Sequence, residues 1–324
     1  MKLLITGIAG FIGFHTARRL VEAGHDIVGV DNVNPYYSID LKRARLVALG
    51  DHVQLHEIDI ADTAAIHNLI CGEVPDVVVH LAAQPGVRYS IQQPFDYASA
   101  NLVGHLSVLE ACRHAKGLSH LVYASSSSVY GETSKAPFSE FEPANEPVSL
   151  YGATKRCDEL MSSSYAHLYG IRQIGLRFFT VYGSWGRPDM AYWKFAHRMF
   201  EGEPIQIFNN GDMRRDMTHI DDVAAGIVAA ATRTPEFVAG ERTHRIYNVG
   251  NSRPERLLDM VETLERLVGK PATKVFEGMQ AGDVTETYAD IRRFKADYGY
   301  DPKTSMKDGL AEFVDWFRDW RARA

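Results

Sequence analysis

Apolar positions along the chain fall into short unbroken runs, separated by longer stretches with helical spacing. The runs "KLLIT" (2–6), "DIVGVD" (26–31), "VQLHEIDI" (53–60), "DVVVHLA" (76–82), "HLVYASS" (120–126) and "RQIGLRFF" (172–179) read as strands. Residues 11–24, about 62–71, about 95–116 and 151–170 carry the helical period between them. Strands apolar on both faces belong in a sheet covered on both sides, and strict strand–helix alternation makes that sheet parallel. The pattern therefore predicts an α/β protein with a Rossmann-type doubly wound parallel sheet.

After residue 182 the pattern loosens. Gly- and Pro-containing loops are predicted to dominate 183–215, and "DDVAAGIVAAATR" (221–233) reads as a helix returning to the first domain. Residues 245–250, 256–269 and 309–322 read as a smaller mixed α/β region. The expected division is a dinucleotide-binding domain of 1–182 plus about 216–242, and a second domain of 183–215 plus about 243–324. No internal repeat is visible.

Composition narrows the function classes. The chain has 324 residues, 45% hydrophobic and 23% charged, enough for a sizeable core. Its net charge is −6, from 35 basic and 41 acidic residues with no long block of one sign, so charge gives no case for nucleic acid or an anionic membrane as partner. No run approaches the roughly 18 apolar residues of a membrane span, and glycines interrupt the apolar start too early for a signal peptide. Three cysteines without a CxxC pair point to a reducing, cytoplasmic setting. Thirteen histidines are scattered without HxH or HExxH spacing, so no metal is expected.

Chemistry enters at "TGIAGFIG". Gly7, Gly10 and Gly13 lie directly between a strand and a helix. Such a turn brings backbone against a pyrophosphate, which needs residues without Cβ, and the helix start offers free N–H groups and a positive dipole end. Asp31 ends the second strand, 18 residues after Gly13. An acid there accepts from both adenosine ribose hydroxyls and repels a 2′-phosphate, which predicts NAD rather than NADP. Further on, Tyr151 and Lys155 are four apart in a helical stretch and share a face. A free phenol, with its pKa of about 10, is a poor base at neutral pH. A neighbouring ammonium and a positive nicotinamide ring favour the phenolate. The four serines of "YASSSSVYG", Ser125 to Ser128, sit at the carboxyl end of a strand, where ligands bind in open α/β sheets.

GxxGxxG, "DI" at 59–60, "HLAAQ" at 80–84 and Tyr151-xxx-Lys155 together resemble the extended short-chain dehydrogenase/reductase family. The resemblance implies that Tyr151, Lys155 and Ser126 are catalytic, with Ser126 bonding the substrate hydroxyl beside Tyr151. It implies that Asp59 and Ile60 flank the adenine, that Leu81, Ala82 and Ala83 line the cofactor, and that Asn101 lies near the nicotinamide half. Phe11, Ile12, Asn32 and Phe178 join the same cofactor set. At positions 127 and 128 the related dTDP-glucose dehydratases carry Asp-Glu and the UDP-glucuronate decarboxylases Ser-Glu; here both are serine, which argues against elimination.

"VNPYYSIDLKRARL" (33–46), "QPGVRYS" (84–90), "GLRFFTVYGSWGRPDMA" (175–191) and "FNNGDMRRDMTHIDDV" (208–223) look most like the UDP-glucuronate 4-epimerases of that family. Ser184 and Pro85 depart from the commoner proline and alanine. The activity implied is NAD-dependent 4-epimerisation without loss of CO₂. A 4-epimerase of UDP-glucose or UDP-N-acetylglucosaminuronate is the alternative, and a decarboxylase is disfavoured by Ser128. By charge and bidentate geometry Arg187 is the candidate partner of the sugar carboxylate, with Ser127 and Ser128 helping to orient it. By resemblance Arg88, Thr180 and Arg215 face the diphosphate, Phe208 the uracil, and Gln280 and Asp283 the uridine ribose. A homodimer through the helices at 95–116 and 151–170 is likewise implied.

Overall fold

Four of the six predicted strands carry Val, Ile or Leu on consecutive positions, and these residues are buried on both faces of a seven-stranded sheet. The computed structural model describes residues 1–132, 135–238, 240–280 and 282–323. Strand β1 (Lys2–Thr6) leads through helix α1 (Phe11–Glu22) to β2 (Asp26–Val30), and α2 (Ile39–Leu49) leads to β3 (Val53–His56). Helix α3 (Thr63–Glu73) and β4 (Val77–His80) follow, then two single-turn helices, α4 (Tyr89–Gln92) and α5 (Pro94–Tyr97). A π-helical turn (Ala98–Val103) runs into α6 (Gly104–His114), β5 (His120–Ser126), α7 (Leu150–Tyr169) and β6 (Gln173–Phe178).

The remaining elements are β7 (Thr180–Tyr182), α8 (Ala191–Glu201), β8 (Ile205–Ile207), β9 (Arg214–His219), α9 (Ile220–Thr232), β10 (His244–Val249), β11 (Pro254–Arg256), α10 (Leu257–Val268), β12 (Lys274–Phe276), α11 (Arg292–Tyr298) and α12 (Met306–Arg323). The main sheet has the order β10-β6-β5-β4-β1-β2-β3 and every pairing is parallel. The order reverses between β1 and β4, the switch point at which such sheets bind ligands. Alternation along the strands divides the core. Leu3, Ile5, Val77, Val79 and Val122 face α1, α9 and α11, whereas Leu4, Val78 and Leu121 face α3 and α6. Burying each such side chain is worth about 1.5–3 kcal/mol.

Three sequence expectations need correction. Residues 244–249 pair in parallel with β6 and form the seventh strand of the main sheet, not part of a second domain; Tyr247 and Val249 are buried in its core. Phe294, Tyr298 and Tyr300 pack into that same core. The stretch 183–215 is not mainly loop: Tyr192, Trp193, Phe195, Ala196 and Met199 bury one face of α8, which Gly202 ends in the left-handed region. With α10 and α12 this helix builds the second core. Finally, the strand begun at 53 ends at His56, whereas the helix expected over about 95–116 is continuous from Pro94 to His114 through a π-helical stretch at Ala98–Val103.

Candidate active site

One cavity of about 790 Å³ runs from the carboxyl ends of β1 and β2 to α8. Its first end is built by the glycine turn. Gly7 has φ +74°, and a Cβ there would lie 2.7 Å from the Ala82 backbone nitrogen. A Cβ on Gly13 would lie 2.1 Å from the Gly7 carbonyl. These contacts close the turn against the strand ends. Helix α1 has Gly10 as N-cap with no side-chain cap, and its first internal bond is Phe14 N–H to Gly10 C=O. The N–H groups of Phe11, Ile12 and Gly13 are thus presented at the helix mouth.

Asp31 follows β2 directly and is buried on the cavity wall. Its carboxylate accepts from Ala9 N–H at 3.0 Å and Val33 N–H at 2.8 Å. Burial pushes its carboxyl up, with Lys42 and these two N–H groups acting against the rise. Asn32 donates to Asp59 Oδ2 at 2.8 Å, which ties two residues of the expected cofactor set together. Ile60, Leu81, Ala82, Ala83 and Phe178 all line the cavity. This donor set fits a dinucleotide: free helix N–H groups for phosphates, a buried carboxylate for ribose hydroxyls, and apolar walls for the rings.

At mid-cavity stand Tyr151, Lys155 and the serines. Ser149 caps α7 through Gly152 N–H, so Tyr151 sits in the first turn. The ring of Tyr151 meets Tyr97 edge-on at 6.1 Å. Lys155 is buried; its Nζ donates to Ala124 C=O at 3.2 Å and Asp158 Oδ2 at 3.0 Å. Burial pushes Asp158 up to about 7, with Lys155 opposing. The four serines divide their work. Ser125 donates inward to Glu159 at 2.6 Å, and Glu159 is held by Arg177 and Arg156. Ser126 accepts from Ser128 N–H, shaping the turn that presents Ser127 and Ser128 to the cavity.

At the far end lie Arg88, Thr180, Arg187, Phe208 and Asp283. Arg88 stacks on Phe208 at 5.0 Å. Arg187 grips Asp189 through two bonds of 3.0 and 3.1 Å, and Tyr36 donates to the same carboxylate. Burial opposes the Arg187 charge, but Asp189, with Tyr36 and Tyr151 nearby, more than offsets it and raises the group.

Three expected site residues are placed elsewhere. Asn101 is buried away from the cavity. Its side chain accepts from Gln84 N–H and donates to Gln84 C=O and Thr154 Oγ1, so it ties Gln84 to α7. Arg215 is not on the cavity wall; it pairs with Asp283 at 2.6 Å and donates to the Val284 and Thr285 carbonyls. Gln280 also lies off the wall, with Oε1 buried and unpartnered.

The structure adds residues that the sequence reading missed. Ala191, Lys194, Phe195 and Arg198 of α8 line the cavity. Their spacing of three, four and seven is one helix face, so the signal was present once 191–201 is read as a helix. Burial lowers Lys194; Asp189 opposes this, and Arg88 and Arg198 add to it. Three cations thus converge where an anionic group would relieve their repulsion. Among the described residues one cluster, His219, Asp221 and Glu312, has the spacing of a metal site. Arg19 and Arg18 stand 3.2 and 3.7 Å from Asp221, and the cluster lies at the positive end of α9, both unfavourable to a cation.

The doubly wound sheet, the glycine turn and the Tyr–Lys pair define a nucleotide-dependent short-chain oxidoreductase fold. Residues 3–250 match the NAD dependent epimerase/dehydratase family, and the chain belongs to that family. It is 47% identical to an uncharacterized 37.6 kDa protein of Escherichia coli O111:H-, over 99% of each chain. It is 43% identical to the probable UDP-glucuronate 4-epimerase of Rhizobium meliloti (strain 1021), over 98% of this chain and 97% of the relative. The solved structure of UDP-glucuronic acid 4-epimerase from Bacillus cereus, in complex with UDP-glucuronic acid and NAD, superposes with a TM-score of 0.91. That match has 36% identity and covers 99% of this chain and 100% of the other.

Proposed function

We propose that this protein is an NAD-dependent UDP-glucuronate 4-epimerase producing UDP-galacturonate. The observation that carries the reading is the cavity wall itself: Ser126, Ser127 and Ser128 stand with Tyr151 and Lys155, and neither Ser127 nor Ser128 is an acid. The glycine turn and Asp31 would hold NAD, which when bound would supply a hydride acceptor and donor for C4 of the sugar. Tyr151 takes the proton of the 4-hydroxyl and gives it back to the product oxygen. Lys155 holds positive charge beside that exchange, and Ser126 bonds the same hydroxyl. Between the two transfers the 4-keto sugar turns over, so that its other face meets the returning hydride.

A uronic acid oxidised at C4 is a β-keto acid. It loses CO₂ when the C5–carboxylate bond lines up with the carbonyl π system. Arg187, fixed by Asp189, and the hydroxyls of Ser127 and Ser128 keep the carboxylate out of that alignment. Arg88, Lys194 and Arg198 take the diphosphate, Phe208 stacks on the uracil, and Asp283 closes the ribose side.

Two further parts belong to this reading. The chain works in the cytoplasm, in keeping with three free cysteines. Two copies pair through α6 and α7, whose adjoining faces leave Leu106, Leu160 and Leu168 at 40%, 55% and 62% exposure.

Incubating purified protein with UDP-glucuronate, without added NAD, tests the assignment. UDP-galacturonate free of UDP-pentose is the expected product. UDP-pentose as the main product would make the protein a decarboxylase. Turnover of UDP-glucose but not of the acid sugar, or no turnover even with added NAD, would overturn the reading.

A further inference from the structure

Arg45 is a buried cation that makes no salt bridge among the described residues, Asp31 being a charge that acts on it without direct contact. It is 0% exposed, and all five of its N–H donors go to uncharged oxygens. Nη1 donates to Ala9 C=O at 2.8 Å and to Tyr37 Oη at 2.7 Å. Nε and Nη2 donate to Trp185 C=O at 3.1 and 2.5 Å, and Nη2 also reaches Gly186 C=O at 2.9 Å. A buried charge of this kind is retained only where something nearby compensates it.

The carbonyls it holds belong to two different parts of the site. Ala9 lies inside the glycine turn, where its N–H is fixed by Asp31. Its peptide is therefore gripped from both sides, by an anion at the N–H and a cation at the carbonyl. Trp185 and Gly186 directly precede Arg187. Trp185 has φ +61°, a left-handed conformation that a bulky residue does not adopt unaided. Gly186 is tight as well, since a Cβ there would lie 1.8 Å from Tyr192 Oη. The segment before Arg187 is thus strained, and Arg45 supplies three of the bonds that hold it.

We infer that Arg45 is a positioning residue that couples the dinucleotide site to the loop carrying Arg187. A pyrophosphate bound over the glycine turn adds negative charge beyond that of Asp31, which acts on Arg45 from across the Ala9 peptide. Charge compensation there strengthens the grip on Ala9, Trp185 and Gly186 together, so cofactor occupancy fixes the loop that meets the sugar. This inference rests on the reading of Arg187 as the partner of the sugar carboxylate.

Hydrogen–deuterium exchange of the peptide covering 184–190, with and without saturating NAD, reads the coupling directly. In the unaltered protein NAD slows exchange there by about tenfold or more, while Arg45→Lys abolishes most of that protection. Arg45→Lys also retains less NAD through purification, measured as NAD released on denaturation per chain. Exchange in 184–190 that ignores NAD, or an Arg45→Lys protein with full NAD content and undiminished protection, would refute the coupling. If the variant fails to fold, exchange in the unaltered protein alone decides. An Arg187→His protein that makes no UDP-pentose would overturn the role of Arg187 yet leave NAD-dependent protection of 184–190 intact, so the two failures are told apart.

Discussion

Tyr151 and Ser128 show how single side chains divide the chemistry at this site. Tyr151 lies on the cavity wall in the first turn of α7, its ring braced by Tyr97. Removing its hydroxyl removes the group proposed to carry the 4-hydroxyl proton and leaves the glycine turn and Asp31 untouched. Tyr151→Phe is therefore expected to lower kcat by about 10²–10⁴ while bound NAD per chain stays unchanged. A variant that keeps its turnover would show that another group moves the proton. Ser128 makes the opposite point, because its importance lies in what it is not. Glutamate there places an acid beside the 4-keto sugar and removes a hydroxyl that orients the carboxylate. Ser128→Glu, and independently Arg187→His, should yield UDP-pentose alongside the epimer, resolved by chromatography of the products. No rise in UDP-pentose from either variant would mean that the carboxylate is held by other groups.

At the level of elements, the cofactor end and the substrate end of the cavity rest on different pieces of chain. The first is a strand–turn–helix, β1 into α1; the second is one face of α8. Lys194→Ala should therefore raise KM for the UDP-sugar by about tenfold or more, since each charge-assisted bond is worth about 1.5–3 kcal/mol, without loss of retained NAD. Equal loss of both would place Lys194 in a structural role. The two ends also differed in how readily the sequence revealed them. Glycine spacing, a following acid and a Tyr-xxx-Lys pair are local patterns, so nearly all of the cofactor wall was legible. Helix α8 was read as loop because Gly and Pro on either side dominated the stretch, and its apolar face became meaningful only against α10 and α12. Residues 244–249 look like any short strand; only pairing with β6, far away in sequence, assigns them to the main sheet.

For the whole molecule the buried histidines set the pH range of the fold. Burial lowers His15 to about 3, with Arg18 adding to the effect, and lowers His80 to about 3, with Lys155 adding. His244 is lowered to about 4, again by burial, and His105 is held well below its usual value by burial and by His80 beside it. Each is neutral in the folded protein: His80 bonds Thr6, His105 bonds Ser162, His244 bonds Tyr123, and His15 bonds the Ser184 carbonyl. In the unfolded chain each titrates near its ordinary value of about 6.5. A folded pKa below the unfolded one gives stability that is complete above about pH 6.5 and lost as pH falls towards 3–4. Near pH 5 unfolding takes up roughly four protons at these histidines, while Asp158, raised by burial to about 7, and Asp216, raised by burial to about 6, release roughly two, leaving a net slope of about 3 kcal/mol per pH unit against a total stability of about 5–15 kcal/mol. Denaturant midpoints are therefore expected to fall as pH drops below 6. His80→Gln, which can still bond Thr6, should take up about one proton fewer on unfolding and soften the slope accordingly. Equal stability at pH 7 and pH 5, followed by denaturant unfolding, would show that these four side chains are not neutral in the fold.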